Sequence, residues 1–417
     1  MLLLRRDMKI AIINKSDLNG GAAVVSYRLM NALRKEGVEA RMLVVDKTGN
    51  DNNVISYANR VKDKLVFFAE RLQIFLKNGF SRDNLFKVDT ARWGRDISLH
   101  PIVQEADVIM LNWINQGALS LDCVEKLCAT GKPIIWTMHD MWECTGICHH
   151  AYDCKRYKAY CGKCIYLGSN NKDDISHRTW KRKKNVYSAP NLHFVSVSNW
   201  LADKCKESSL LKTKNVTVIP NTNEIDEFSF ERLSNINYNI PDDVKILVMG
   251  AARLDDPVKG FPILLSSLKW LKLHKPDVAD KIHLVLFGDI RDASLLQEID
   301  IPYTYLGRIP TDKVKDIFAH ADVVLSSSFY ETLPGTLIEG LAAGCLPVTF
   351  GNGGQRDIVE HLKTGYIAEY KSYQDFACGI EWAVNAEISR EFLHNEMEKR
   401  FSPRAIVNKY LTLIKSF

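Results

Sequence analysis

Short continuous apolar runs alternate along this chain with stretches whose apolar positions recur every three or four residues. Apolar runs bounded by polar turns read as strands buried on both faces, and the recurring stretches as helices laid over them. In the first half, strands are predicted near residues 9–14, 39–45, 107–112, 133–139, 192–196 and 216–219, and helices over 22–35, 119–129 and 200–207. Pro220-Asn221-Thr222-Asn223 breaks the alternation, and the residues up to Pro241 are polar and aperiodic. A second alternation has strands near 244–249, 282–287, 303–306, 323–326 and 347–349, and the last segment, 402–417, reads as an amphipathic helix.

Strands alternating with helices imply parallel sheets covered on both faces. At 417 residues the chain exceeds one ordinary core. The predicted class is therefore α/β, with two doubly wound Rossmann-like domains facing across a cleft and ligands at the carboxyl ends of their strands. The first domain is expected over 1–221 with a Cys-rich insertion at about 142–165, a linker over 222–243, and the second domain over 244–401. The helix at 402–417 is a separate closing element.

Composition narrows the class only a little. Apolar residues make up 46% and charged residues 25%, as in a water-soluble globular protein. The formal net charge is +5, from 55 Lys and Arg against 50 Asp and Glu, so the total points to no polyanion partner. The apolar start, Met1-Leu2-Leu3-Leu4, is too short for an export signal, and no apolar run is long enough to span a bilayer, so the expected location is cytoplasmic. Ten cysteines in such a chain suggest thiols or metal ligands rather than a disulfide framework.

The chemistry is densest near residue 335. After the apolar run 321–325, Glu331 falls in the loop at a strand's carboxyl edge, Pro334 suits a first helical turn, and Gly335 to Ala343 continue as a helix carrying Glu339. Two carboxylates thus share one crevice with a helix N-terminus whose free N–H groups favour an anion. Carboxylates bind hydroxyls and N-termini bind phosphates, a combination suited to a sugar nucleotide. Upstream, Arg253 ends a strand, and Lys259-Gly260 leads into the helix that follows. Two cations in one loop can neutralise a departing diphosphate.

The block Glu331-x7-Glu339, with Gly340, Ala342, Ala343, Gly344 and Pro347, resembles the signature of retaining glycosyltransferases of the GT-B fold, particularly glycosyltransferase family 4 (glycosyl transferases group 1). Where the family usually reads Glu-Gly-Phe-Gly, this chain has Glu331-Thr332-Leu333-Pro334. The block Gly250-Ala251-Ala252-Arg253-Leu254 through Lys259-Gly260 resembles the family's phosphate motif, with Ala252 at a usual glycine and one extra residue before the lysine. The resemblance implies that Glu331 holds donor-sugar hydroxyls, Glu339 the ribose, and Arg253 with Lys259 the diphosphate, in place of a divalent cation. It also implies donor contacts from Leu333, Pro334 and Gly335, and from Arg308 and Ile309 beside the nucleotide base. Gly20 and Gly21 open the first helix and resemble the family's first-loop glycines, and the resemblance also implies that the helix at 402–417 packs back on the first domain. His139, at the end of the strand from Pro133, is the catalytic-site candidate of the first domain.

Cys148, Cys154, Cys161 and Cys164 stand close in sequence, with Cys144 just before them. Cys161-Gly162-Lys163-Cys164 has the turn spacing of a zinc knuckle, so a structural zinc on four thiolates, free thiols and disulfides are all open readings. Four thiolates leave no open coordination position, so catalysis is expected to need no cofactor. Basic residues cluster at 178–184, and residues 60–77 carry an apolar stripe of Val61, Leu65, Phe68, Leu72, Phe75 and Leu76. The stripe suits a core-facing helix with a solvated rim, the preferred reading, or peripheral docking on anionic lipids of an inner membrane surface.

Together these readings describe a retaining, metal-independent transferase. It would move a sugar from a nucleotide diphosphate donor to a hydroxyl of a glycan or lipid-linked acceptor in surface polysaccharide assembly. A sugar-nucleotide epimerase on the same scaffold is the alternative enzyme. A zinc-dependent nucleic-acid-binding module is the alternative of another class, and no nucleic-acid partner is expected on the preferred reading.

Overall fold

The computed structural model describes residues 8–234 and 240–417. The short apolar start and the middle of the expected linker, residues 235–239, lie outside the described residues. The chain divides into two compact units, Met1–Thr222 with Ile406–Phe417, and Asn223–Ala405.

In the first unit, β1 (Lys9–Ser16), β2 (Glu39–Asp46), β3 (Val54–Ser56), β4 (Val108–Leu111), β5 (Ile134–Met138), β6 (Leu192–Ser196) and β7 (Val216–Val218) lie in the order β3-β2-β1-β4-β5-β6-β7. Neighbouring strands are all parallel: Ile12 of β1 pairs with Met42 on one side and Met110 on the other. Parallel strands buried on both faces need unbroken apolar sequence, and Ile10 to Ile13 and Val108 to Leu111 supply it. The helices are α1 (Gly21–Lys35), α2 (Arg60–Lys77), α3 (Pro101–Glu105), α4 (Leu121–Cys128), α5 (Ile175–Val186) and α6 (Asn199–Glu207).

The second unit repeats the plan with six strands: β8 (Lys245–Arg253), β9 (Ile282–Asp289), β10 (Tyr303–Tyr305), β11 (Val323–Ser326), β12 (Leu346–Phe350) and β13 (Tyr366–Ala368). Their order is β10-β9-β8-β11-β12-β13, again all parallel. Its helices are α7 (Phe261–His274), α8 (Pro276–Ala279), α9 (Val314–His320), α10 (Gly335–Ala342), α11 (Tyr373–Asn385) and α12 (Arg390–Phe401). The last helix, α13 (Pro403–Ile414), leaves this unit. Ile406, Val407, Tyr410, Leu411 and Ile414 join the first unit's core with Ile10, Leu29 and Met110, and the Tyr410 hydroxyl meets Thr137 Oγ1 at 3.0 Å.

In each sheet the chain starts in the middle, runs to one edge, then returns to build the other. The order therefore reverses between β1 and β4, and between β8 and β11. In sheets of this kind ligands bind outside the carboxyl ends of the strands, at the place where the order reverses.

One element differs from its expectation. The stripe Val61, Leu65, Phe68, Leu72 and Leu76 does not face the core; these side chains are 42–68% exposed. Helix α2 instead buries Glu70, Arg71 and Ile74. The apolar spacing correctly marks a helix, but its inward face is held by charge.

Candidate functional site

The second unit's crevice is built from the loops after β8 and β11, which are stitched together. Ser327 Oγ donates to Lys259 O (2.8 Å), and Phe329 N donates to Val258 O (2.8 Å). Gly260 adopts φ +66°, and a Cβ there would lie 2.1 Å from Ser327 O, so only glycine allows the loops to close this far. The result is an ion pair between Lys259 Nζ and Glu331 Oε1 at 2.6 Å, both side chains part-buried. Two residues 72 positions apart, each singled out in the sequence for a ligand, thus meet at the point where strand order reverses.

A third loop supports Glu331 from behind. Gly354 N donates to Glu331 O (2.9 Å), and a Cβ on Gly354 would lie 1.9 Å from Thr332 O. The glycines at 351–354 therefore set the position of the Glu331 loop. Pro334 is the N-cap of α10 rather than its first turn, Leu333 packs on the core beside it, and Gly335 is the first helical residue. Glu339 follows in the same helix, half-buried.

Arg253 ends β8 beyond an irregularity in the β8–β9 register that begins at Gly250, the kind of bulge that re-aims a strand end. Its guanidinium pairs with Asp255 (3.4 Å) and Asp256 (3.2 Å). Arg308, largely exposed, pairs with Asp289 at the end of β9 (2.7 Å), while Ile309 packs against the core. Every cation assigned to the donor is thus held by a carboxylate of the same unit.

Helix starts add a second pattern. Helices α2, α4, α5, α6, α11 and α12 are each capped by a side chain, from Asn59, Ser120, Asp174, Ser198, Ser372 and Ser389. Helices α1, α7 and α10, which follow β1, β8 and β11 at the two reversal points, have no side-chain cap. Helices α8 and α9 also lack one, the first continuing from α7 and the second from a short 3-10 turn. A capping side chain competes with a bound anion for the same N–H groups, so an uncapped start at a crevice favours ligand binding. Gly20, at φ +94°, is the N-cap of α1, and Gly21 begins the helix.

In the first unit, His139 follows β5, and its Nε2 lies 3.0 Å from Asn112 Oδ1 at the end of β4. The two line a small pocket of about 10 Å³ with Thr137, Pro220, Asn221 and Tyr410. Burial pushes the His139 pKa down to about 4 against the pull of Asp140, so the ring is neutral at physiological pH.

Beside it stands a buried network that sequence reasoning missed. His149 bridges Asp140 (Nδ1–Oδ2, 2.8 Å) and Asp89 (Nε2–Oδ2, 3.1 Å). Arg71 of α2 pairs with Asp89 (2.5 Å) and with Glu70 (3.3 Å), and Trp113 Nε1 donates to Asp140 (3.2 Å). Burial opposes charge on His149, but the two carboxylates outweigh it and hold its pKa up at about 10. Burial likewise opposes charge on Asp140, yet the His149 imidazolium brings its pKa down to about 2. The signals were present, with Asp140 directly after His139 and an Arg-Glu pair opposite the apolar stripe. Nothing in the sequence joined them across the stretch from Glu70 to His149.

Two other candidate groups turn out differently. All ten cysteines are free thiols, and among the described residues no group of three or more His, Cys, Asp or Glu side chains is arranged to hold a metal ion. Cys148 is buried with Ile74, Val88, Ile147 and Tyr166, and burial pushes the Cys161 thiol up to about 12 and Cys164 to about 11. Cys148, Cys154, Cys161 and Cys164 lie near enough to one another for neighbouring thiols to push Cys148, Cys161 and Cys164 further up, so a structural zinc on four thiolates stays a proposal. The basic run at 178–184 is not a single cationic face either. Lys183 is fully buried over the Trp142 ring, Arg182 pairs with Asp122 and Glu125, and Arg178 pairs with Asp173. Among the described residues no helix is long and apolar enough to cross a membrane.

Comparison with known proteins agrees with this geometry. Residues 232–405 match the family described as glycosyl transferases group 1. YtcC of Bacillus subtilis, provisionally named a glycosyltransferase, is 30% identical over 176 residues, 39% of this chain and 40% of YtcC. The GPI3 subunit of the Saccharomyces cerevisiae phosphatidylinositol N-acetylglucosaminyltransferase is 25% identical over 228 residues, 52% of this chain and 48% of the subunit. The chain thus matches about half or less of the length of these curated relatives. Among solved structures, Anabaena HepE in complex with UDP and glucose superposes over 98% of this chain and 100% of its own with a TM-score of 0.62 at 15% identity. A glycosyltransferase from Rickettsia africae gives 0.63 over 98% of each chain, also at 15% identity. Residues 232–405 thus resemble the glycosyl transferases group 1 family, within a chain that has the two-Rossmann-like-domain fold of GT-B glycosyltransferases.

Proposed function

We propose that this chain is a retaining glycosyltransferase that takes a sugar from a nucleotide diphosphate donor and passes it to a hydroxyl of a glycan or lipid-linked acceptor. The observation that carries the reading is the Lys259–Glu331 pair, set between the uncapped starts of α7 and α10. A diphosphate supplies the anion that Lys259 and Arg253 now find in carboxylates, and the helix N–H groups add donors to its oxygens. Glu331, released from Lys259, accepts hydrogen bonds from the donor sugar's hydroxyls, and Glu339 accepts from the ribose. His139, a neutral imidazole, is suited to a sugar hydroxyl rather than a phosphate.

In the transfer itself the bond from the anomeric carbon to the diphosphate oxygen breaks, and a bond to the acceptor oxygen forms on the same face. The acceptor's proton passes to the departing diphosphate, so neither glutamate becomes a covalent nucleophile. Cationic side chains supply the charge stabilisation that a divalent metal gives elsewhere. The comparisons support a setting in surface polysaccharide or glycolipid assembly. They include WcaC of Escherichia coli, provisionally named for colanic acid biosynthesis and 27% identical over 212 residues, 47% of this chain and 50% of WcaC.

The test is incubation of the purified chain with UDP-, GDP- and ADP-sugars in EDTA, reading nucleotide diphosphate release with and without lipid extract. Release from one donor, raised by the extract, is expected. Release that requires added divalent metal, or silence from folded protein across the panel, contradicts the proposal.

A further inference from the structure

We infer that the outward face of α2 is a docking surface for an anionic lipid bilayer. Val61, Leu65, Phe68, Leu72 and Leu76 follow one another at spacings of four, three, four and four residues, and all are exposed, with Phe80 just beyond the helix end. A contiguous apolar stripe of this length in water marks a surface that some apolar partner covers.

The opposite face of α2 shows that the stripe is not a helix turned the wrong way. Glu70 Oε1 accepts from Thr90 N, Thr90 Oγ1 and Ala91 N at 2.8–3.0 Å, and Arg71 is locked to Asp89. Ile74 packs with Val88, Ile147 and Tyr166. Rolling the helix to bury Leu65 and Phe68 would expose Ile74 and break that charge network, so the apolar face is held outward.

Charge selects the partner. Lys62, Lys64, Lys77 and Arg82 are exposed along and just past the helix, and none has a carboxylate partner among the described residues. The acidic residues of α2 are already engaged: Asp63 accepts from the backbone at Asn59 and pairs with Arg95, and Glu70 is buried. The exposed face therefore combines an apolar stripe with unneutralised cations, the pattern of a helix lying in an anionic membrane interface. A second copy of the chain laid on the same stripe would bring these cations together, which disfavours a dimer. This inference is independent of the chemistry assigned to the second unit.

The test is co-sedimentation of the full chain with phosphatidylcholine vesicles and with equimolar phosphatidylcholine and phosphatidylglycerol vesicles. Expected is binding to the anionic vesicles only, weakening as salt is raised. The double variant Leu65→Glu with Phe68→Glu, both at exposed positions and checked for an unchanged thermal melt, lowers that binding about tenfold or more. Leu273→Glu, an equally exposed apolar site in the second unit, leaves it unchanged. Absence of sedimentation with anionic vesicles overturns the inference, as does binding that the double variant does not reduce. Sedimentation velocity without lipid completes the test, since a dimer that the double variant dissociates would assign the stripe to a second copy instead.

Discussion

Lys259 and His149 are both charged groups held against carboxylates, but their burial gives them different work. The Lys259–Glu331 pair is part-buried, and pairs open to solvent contribute about 1 kcal/mol or less, so its geometry matters more than its energy. His149 is buried between Asp140 and Asp89, and its removal strands two buried carboxylates. His149→Gln is expected to destabilise the fold by about 3 kcal/mol at neutral pH. The pH dependence follows from the sign of the shift. His149 is raised from 6.5 to about 10, so its contribution is full below pH 6.5 and is lost as pH rises through about 10. Denaturant melts of wild type and variant should therefore differ most near pH 6.5 and converge towards pH 10. A constant gap across that range would show that His149 is not charged in the fold. The residues proposed for the donor were singled out in the sequence because a motif marks them. The His149 network was not, because its members lie on separate loops and helices and only the fold brings them together.

At the scale of elements, strands and helices were legible wherever apolar periodicity was strong, as in β1, β8 and α10. Short edge strands such as β3 and β13, three residues each, carry too few side chains to show a period. Helix α2 shows the limit of periodicity: the stripe located the helix, but which face turns inward was decided by Glu70 and Arg71, through partners 18 to 21 residues away. The glycine turn at 351–354 was equally opaque, since a glycine's purpose is visible only in what approaches it. Gly354→Ala places a methyl 1.9 Å from Thr332 O, against backbone that cannot yield without moving the Glu331 loop. The expected outcome is a loss of about 2 kcal/mol in thermal stability, with donor turnover falling further than stability alone explains. Turnover equal to wild type at a temperature where both are folded would separate that turn from the site.

Across the whole molecule, two parallel sheets with the same order of strands share one logic. Each reverses beside its first strand, and each leaves the helix after that strand uncapped. In the second unit that arrangement coincides with Lys259, Glu331 and Arg253, and the family match covers the same residues. The general plan was readable from alternation alone, while the return of the last helix to the first core was implied only by the family resemblance, and Tyr410 and Val407 make it. The central claim is that this crevice binds a nucleoside diphosphate through Lys259 without metal. Calorimetric titration of UDP, GDP and ADP in EDTA into wild type and Lys259→Ala tests it most directly. The account predicts binding of one nucleotide by the wild type, weakened by about 10- to 100-fold in a variant that remains folded. Equal affinity in the two proteins, or no binding of any of the three by the wild type, would contradict it.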